Sequence, residues 1–174
     1  MKEQTRVIIL DTNIISYFAQ AALEKSIESK LHELSQQNFT FALSKFTGYE
    51  ILRQENLPDE KAVLRKLNLF EAYDVTETVL FVSALFYTMI KSVNKDRKLH
   101  DGDVIIAATT FLNASLILTA NRDDFAYPYF EEVETTPVLY HLDSQPGKTH
   151  CVLLCLLKPN NKEILKYINK KLSK

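Results

Sequence analysis

The chain has 174 residues, of which 46% are hydrophobic, which is enough for one well-filled core and too few for a second large domain. Its formal net charge is -1, from 21 Lys and Arg against 22 Asp and Glu, so the chain as a whole does not attract nucleic acid, and any such binding must come from local basic patches. With only 3 glycines, the chain has no glycine-rich phosphate-binding loop.

The first predicted strand covers residues 7–10, a β-branched and apolar run that ends directly at Asp11. Parallel α/β sheets collect their functional groups just past the carboxyl ends of such strands, which makes Asp11 a candidate ligand or catalytic group. Thr12 and Asn13 follow it and are candidate donors that hold its carboxylate in place. Each of them is also a residue type common in caps and turns.

Residues 39–43 form the second predicted strand, and the helix after it carries Glu50 in its first predicted turn. Thr47 and Glu50 match a capping box, in which two side chains satisfy free backbone N–H groups at a helix start. Taken alone, this pair favours a cap over a ligand. Ser44 is a further candidate donor to a carboxylate, with a cap as its alternative.

The uncharged run 104–112 predicts a helix buried on most faces, and two acids, Asp101 and Asp103, stand at its start. The helix dipole favours carboxylates there, and one Asp would be sufficient as a cap. His100 adjoins these acids and is a lower-ranking candidate for substrate contact, for which a surface or structural role is the favoured alternative.

Residues 115–119 predict another buried strand, and polar residues follow it as well. Thr119 is a candidate donor at its end, and Asn121 and Asp124 come directly after it. Turn formation explains Asn and Asp at such a place as well as function does.

The predicted order is β-α-α-β-α-α-β-α-α-β, with further helical regions at 13–35, 50–67 and 76–93 and a short strand at 70–75. This order predicts a parallel sheet with right-handed crossovers, which brings the acids together at one edge. Two carboxylates about 4 Å apart repel by roughly 4 kcal/mol at an effective dielectric near 20, so the cluster needs protons or a cation. All-oxygen ligands favour Mg²⁺ or Mn²⁺ and, with them, phosphodiester hydrolysis.

Four segments, taken together and in order, carry a family resemblance. They are VIILDTN at 7–13, Ser44-x-x-Thr47-x-x-Glu50, DVIIAAT at 103–109 and LTANRDDF at 118–125. The sequence resembles the PIN-domain ribonucleases, and most closely the VapC-type toxins of bacterial toxin–antitoxin pairs. The resemblance implies a single three-layer α/β/α domain, a Mg²⁺- or Mn²⁺-dependent endoribonuclease activity, and a site carried by Asp11, Glu50 and Asp103. The fourth position of the family's site is often Asp where this chain has Asn121, so Asp124 and Asn121 both stay open as the fourth ligand.

The last part of the chain lies beyond the matched segments. Residues 138–142 and 151–157 predict two strands joined by a turn, and residues 161–172 predict a helix. We expect this extension, residues 138–174, to pack as a β-hairpin and helix on a nuclease domain formed by residues 1–137.

Two basic clusters are candidate RNA contacts, although a solvated face is the favoured use of each. One precedes the acidic turn and consists of Lys91, Lys95, Arg97 and Lys98, and the other is the lysine-rich final helix. RNA is the expected substrate, and an antitoxin or a second copy of the chain is the expected protein partner. Residues 1–6 are polar and no apolar stretch is long enough to span a bilayer, so the sequence predicts a cytoplasmic protein without a signal peptide or membrane segment.

Two other functions are compatible with these features. A PIN-like domain that binds RNA or a protein partner with little or no catalysis would explain Asn121. A haloacid-dehalogenase-like phosphatase also places an Asp after its first strand, but that class needs a second Asp two residues later, where this chain has Asn13.

Overall fold

A computed structural model describes residues 6–53, 60–93, 95–113, 115–125 and 127–173. Residues 1–5, part of the polar start on which the absence of a signal peptide was predicted, lie outside the described residues. Within the described ranges, no helix is long and apolar enough to cross a membrane.

Six strands of the described residues form one mixed sheet. They are β1 (Arg6–Leu10), β2 (Phe39–Ser44), β3 (Glu71–Tyr73), β4 (Leu116–Thr119), β5 (Phe130–His141) and β6 (Thr149–Pro159). The strand order is β3-β2-β1-β4-β6-β5, and the first four of these strands are parallel, which confirms the predicted parallel core of the sheet. Strand β6 pairs antiparallel with both β4 and β5, so the C-terminal hairpin extends the same sheet.

Seven α-helices accompany the sheet in this part of the chain. They are α1 (Thr12–Phe18), α2 (Ala21–Gln36), α3 (Lys45–Leu52), α4 (Glu60–Leu67), α5 (Glu77–Val93), α6 (Asp101–Leu112) and α7 (Asn161–Leu172). The helical region predicted at 13–35 corresponds to α1 and α2, as the predicted order requires. The helical region predicted at 50–67 overlaps α3 and α4, and residues 54–59 between them lie outside the described ranges.

Two hydrophobic cores lie on opposite faces of the sheet because side chains alternate along each strand. Ile9 of β1 belongs to the core that contains α5 and α6, whereas Ile8 and Leu10 belong to the core that contains α1 and α2. All three side chains are fully buried, as expected for a strand covered on both faces. This is the predicted three-layer α/β/α architecture.

The C-terminal hairpin and α7 are part of these same cores. Strand β6 lies between β4 and β5, and its residues Leu154, Cys155, Leu156 and Leu157 are all buried. Ile164 of α7 is fully buried in the core with α5 and α6. Strand β5 begins at Phe130, earlier than the strand predicted at 138–142, because it continues to pair with β6 across a bulge. The expected boundary between residues 137 and 138 thus falls inside a strand.

Candidate functional site

Asp11 follows β1 directly and is the N-cap of α1, with only 3% of its surface exposed. Its Oδ1 accepts a hydrogen bond from the Thr12 amide at 2.7 Å, and its Oδ2 accepts from Asn13 Nδ2 and Thr119 Oγ1, both at 2.6 Å. Three neutral donors therefore orient a buried carboxylate. Neutral donors stabilise the anion but leave its charge uncancelled.

Asn13 and Thr119 also connect the ends of two neighbouring parallel strands, β1 and β4. Asn13 Oδ1 accepts a hydrogen bond from the Ala120 amide at 2.9 Å, while its Nδ2 donates to Asp11. Thr119 is the last residue of β4, and its Oγ1 accepts from the Asn121 amide at 2.9 Å while donating to Asp11. The Asp11 carboxylate is thus tied to both strand ends.

Glu50 reaches the same place from α3. The N-cap of this helix is Ser44, whose Oγ accepts a hydrogen bond from the Phe46 amide at 3.3 Å. The capping box expected for Thr47 and Glu50 is wrong, because the helix begins earlier and places a fully buried Thr47 inside its first turn and Glu50 in the second. Glu50 Oε2 accepts a hydrogen bond from Thr12 Oγ1 at 2.6 Å.

The side chains around these carboxylates line an open cavity of about 490 Å³, which we call the acidic cavity. Its described lining consists of Asp11, Thr12, Asn13, Ser16, Tyr17, Glu50, Arg53, His100 and Asp103. Ser16, Tyr17 and Arg53 were not predicted from the sequence to belong to the site. Helical spacing was the available signal, since Ser16 follows Thr12 by one helical turn and Arg53 follows Glu50 by nearly one.

Asp103 and His100 enter the acidic cavity from the start of α6. His100 is the N-cap residue, and its amide donates to Asp103 Oδ2 at 3.4 Å. Asp101 is exposed and borders a different, mostly apolar depression between α5 and α6, together with Tyr87 and Val104. Of the two acids at this helix start, the structure brings Asp103 to the acidic cavity and leaves Asp101 outside its described lining.

Asp124 also follows a strand, but a cation is paired with it. It lies in the 3-10 turn Arg122–Asp124 after β4. Its Oδ1 accepts from Arg97 at 2.8 Å and its Oδ2 accepts from Asn121 Nδ2, and the side chains of Arg97 and Asp124 are each only 15% exposed. The two residues that the sequence left open as a fourth ligand are therefore bonded to each other, and neither belongs to the described lining of the acidic cavity.

Two carboxyl groups of the site, those of Asp11 and Asp103, have raised pKa values. Burial raises the pKa of Asp11 to about 6, and the negative charges of Glu50 and Asp124 add to this increase against the hydrogen bonds that lower it. Burial likewise raises the pKa of Asp103 to about 7, with further increases from the charges of Asp124 and Asp11. Near neutral pH the site therefore carries crowded negative charge that protons partly relieve.

The donor chemistry of the acidic cavity fits a hard divalent cation. Three carboxylates, from Asp11, Glu50 and Asp103, line it, and a bound cation would offset both the burial of these charges and the smaller repulsion between them. Among the described residues, however, no group of three or more His, Cys, Asp or Glu side chains is arranged to hold a metal ion. The acidic cavity therefore suits a divalent cation in the type and the charge of its ligands.

The basic cluster ahead of α6 is largely engaged within the protein. Lys91 Nζ donates to the backbone oxygen of Lys95 at 3.0 Å and to that of Arg97, while Arg97 pairs with Asp124. Lys98 is exposed. Two of the four predicted cations thus stabilise the connection between α5 and α6.

Chains of three solved structures resemble this protein in structure. A toxin–antitoxin complex from Klebsiella pneumoniae aligns with a TM-score of 0.52 and 22% identity over 70% of this chain and 92% of that chain. VapBC2 from Rickettsia felis, bound to a DNA fragment from its promoter, aligns with a TM-score of 0.53 and 21% identity, covering 68% and 90%. FitAcB from Neisseria gonorrhoeae gives 0.52 and 22%, again covering 68% and 90%.

At the level of sequence, no family model matches the chain, and no curated protein matches it. The structural likeness is confined to the fold, because the identities lie near one residue in five. By that likeness, the chain has the α/β fold of chains found in these three structures.

Proposed function

We propose that the protein is a metal-dependent endoribonuclease that acts as the toxin of a type II toxin–antitoxin pair. The observation that carries the proposal is the convergence of Asp11, Glu50 and Asp103, from three different elements, on one cavity at the carboxyl edge of the parallel strands. The fold shared with chains of toxin–antitoxin complexes supports it.

Asp11, Glu50 and Asp103 would hold Mg²⁺ or Mn²⁺ through carboxylate oxygens, and the bound ion would activate water and stabilise charge on the scissile phosphate. Thr12 orients two of these acids, because its amide donates to Asp11 and its hydroxyl donates to Glu50. Asn13 and Thr119 orient the other oxygen of Asp11. Side chains held in this way need little reorganisation when substrate binds.

Arg53 and Tyr17 are the groups through which the acidic cavity would bind RNA. A phosphodiester approaching three carboxylates is repelled, and the Arg53 guanidinium on the cavity wall offsets that repulsion with a charge-assisted hydrogen bond. The Arg53 guanidinium also lies 5.8 Å from the centre of the Tyr49 ring. Tyr17 supplies an aromatic ring on which an unpaired base stacks, so single-stranded RNA is the substrate we expect.

An antitoxin would inhibit through the same cavity. An open, negatively charged cavity accepts a guanidinium, and an arginine from a partner protein would pair with Asp11 or Asp103 in place of a metal ion or substrate. Co-purification with a small protein encoded beside this one supports the assignment as a toxin. A solitary gene whose product is harmless on expression contradicts it.

The direct test combines Mn²⁺ calorimetry with RNA cleavage. We expect the parent protein to bind Mn²⁺ and cleave RNA, and we expect Asp11→Asn, Glu50→Gln and Asp103→Asn each to lower cleavage by about a thousand-fold while keeping the fold. Asp123→Asn is the matched control, since its side chain is 84% exposed and outside the described lining of the acidic cavity. Full activity in Asp11→Asn, with contaminating nucleases excluded, overturns the proposal.

One observation favours a second function, a PIN-like domain that binds RNA or protein without cleaving it. Both oxygens of Asp11 already accept hydrogen bonds from protein donors, and Asp124 is paired with Arg97. A carboxylate with satisfied oxygens needs no metal for its stability. This second function predicts RNA binding that neither requires Mn²⁺ nor changes in Asp11→Asn.

A further inference from the structure

Gly102 lies in the first turn of α6, between Asp101 and Asp103, and the Glu50 side chain fills the space where another residue would carry its own. A Cβ built at position 102 would lie 2.0 Å from Glu50 Oε1, 2.4 Å from Cδ and 2.7 Å from Oε2. All three separations are below 3.0 Å, which real Cβ atoms essentially never show. The Glu50 carboxylate and a side chain at position 102 therefore exclude each other.

Backbone conformation does not explain this glycine. Gly102 is helical, so an alanine could adopt its backbone angles and would favour the helix more strongly than glycine does. Gly48 provides the contrast within the same chain, because it lies in α3 and a Cβ built there meets nothing within 4 Å. The steric conflict with Glu50 distinguishes the two positions.

The Glu50 carboxylate is held from a second direction by Thr12, whose Oγ1 donates to Oε2 at 2.6 Å. Its two carboxylate oxygens and Cδ thus lie between the hydroxyl at the start of α1 and the bare backbone at the start of α6. The positive end of the α6 dipole favours a negative charge there.

We propose that Gly102 is a positioning residue, whose missing side chain admits the Glu50 carboxylate to the acidic cavity beside Asp103. The role in catalysis rests on the proposed nuclease function, whereas the placement of Glu50 does not. In Gly102→Ala the Glu50 Oε1 atom, 2.0 Å from the built Cβ, has to withdraw by about 1 Å, and we expect the carboxylate to lose its hydrogen bond from Thr12. The fold tolerates this, because the conflicting atoms are the far end of a flexible side chain.

The experiment compares Gly102→Ala with Gly48→Ala. A displacement of about 1 Å in a site of this kind costs about a hundred-fold in rate, so we expect that loss in RNA cleavage and weaker Mn²⁺ binding by calorimetry for Gly102→Ala. Gly48→Ala should match the parent in both. Circular dichroism should show both variants folded.

A rescue separates positioning from a general structural defect. Glu50→Asp shortens the side chain by one methylene and relieves the conflict. The loss of RNA cleavage caused by Gly102→Ala should therefore be about ten-fold smaller in the Glu50→Asp background than in the parent. Equal losses in the two backgrounds contradict the proposal, as does full activity in Gly102→Ala.

A crystal structure of Gly102→Ala keeps this proposal distinct from the proposed function. If the parent neither binds Mn²⁺ nor cleaves RNA, the nuclease function fails, and the position of Glu50 in that crystal structure still decides the role of Gly102. A carboxylate displaced from Thr12 supports the positioning role. A carboxylate that keeps its hydrogen bond to Thr12 overturns it.

Discussion

The segments after β1 and β4 each carry an Asp that follows a buried strand, but the two carboxylates have different electrostatic surroundings. Asp11 after β1 accepts hydrogen bonds from neutral donors, and burial raises its pKa to about 6. Asp124 after β4 is paired with the Arg97 guanidinium at 2.8 Å. An acid after a strand keeps its negative charge available for a cation where its protein partners are uncharged.

The largest expected effect comes from removing β6, the strand that pairs with β4. Strand β6 pairs with β4 along Ile117, Leu118 and Thr119, so truncation after residue 137 exposes β4 and removes a buried strand. We expect insoluble or molten protein, seen as lost near-ultraviolet circular dichroism. A well-folded and fully active truncate contradicts this prediction.

Two point variants on β6 refine the same test. Leu156 is 3% exposed and Leu153 is 49% exposed on the same strand. Leu156→Ala should lower the free energy of unfolding by about 3 kcal/mol, whereas Leu153→Ala should lower it by less than about 1 kcal/mol. Urea unfolding measures both values.

In the acidic cavity, beside Asp11 at the end of β1, replacing the charged Asp103 side chain with a neutral one should stabilise the protein. The folded-state pKa of Asp103 is about 7, above its ordinary value of 3.8, so the folded protein binds more protons than the unfolded chain between these values. Stability from this group is therefore greatest near pH 4 and is lost as the pH rises through 7. Metal-free Asp103→Asn should be more stable than the parent at pH 8, on the order of 3 kcal/mol, and should show a flatter pH dependence.

Urea unfolding from pH 4 to pH 8 in a chelating buffer checks this prediction. Asp123→Asn again serves as the exposed control and should leave the pH dependence unchanged. A parent protein whose stability increases steadily from pH 4 to pH 8, with Asp103→Asn parallel to it, shows the sign to be wrong.

Removing the cation from the β4 side should make the two strand ends alike. Arg97→Gln leaves Asp124 largely buried without its ion pair, which we expect to destabilise the protein by about 2 kcal/mol at neutral pH. It should also raise the pKa of Asp103 further. The negative charge of Asp124 contributes to that raised pKa, and in the variant Arg97 would no longer offset it. Lys98→Gln changes an exposed cation of the same segment and should have little effect on unfolding by urea.

The smallest effect is expected at the lysines of α7, which are exposed to solvent, unlike the two largely buried carboxylates after β1 and β4. Lys162, Lys166 and Lys170 are exposed, and Lys166 forms only a surface ion pair with Glu163 at 3.3 Å. Neutralising all three should change RNA cleavage by less than about three-fold, much less than Asp11→Asn does. Lys174, the last residue of the predicted lysine ridge, lies outside the described residues. A ten-fold loss in the triple variant would show that α7 binds RNA.

The parallel part of the sheet and the position of Asp11 could be predicted from sequence patterns. Short apolar, β-branched runs such as residues 7–10 are typical of strands covered on both faces, and an acid that ends such a strand lies at the carboxyl edge of the sheet. The predicted helix at 161–172 matches α7, because the helical spacing of its apolar residues is a local property of the sequence.

Which polar groups contact each other depends on how the elements pack together. The pairing of Arg97 with Asp124, the contact of Thr12 with Glu50 and the fit of Glu50 over Gly102 each join residues far apart in the chain. No local pattern encodes these pairs, because they depend on how α3, α6 and the two strand ends pack. Local pattern also misassigned the cap of α3 by one helical turn, since Ser44 and Thr47 are equally good caps until the end of β2 is known.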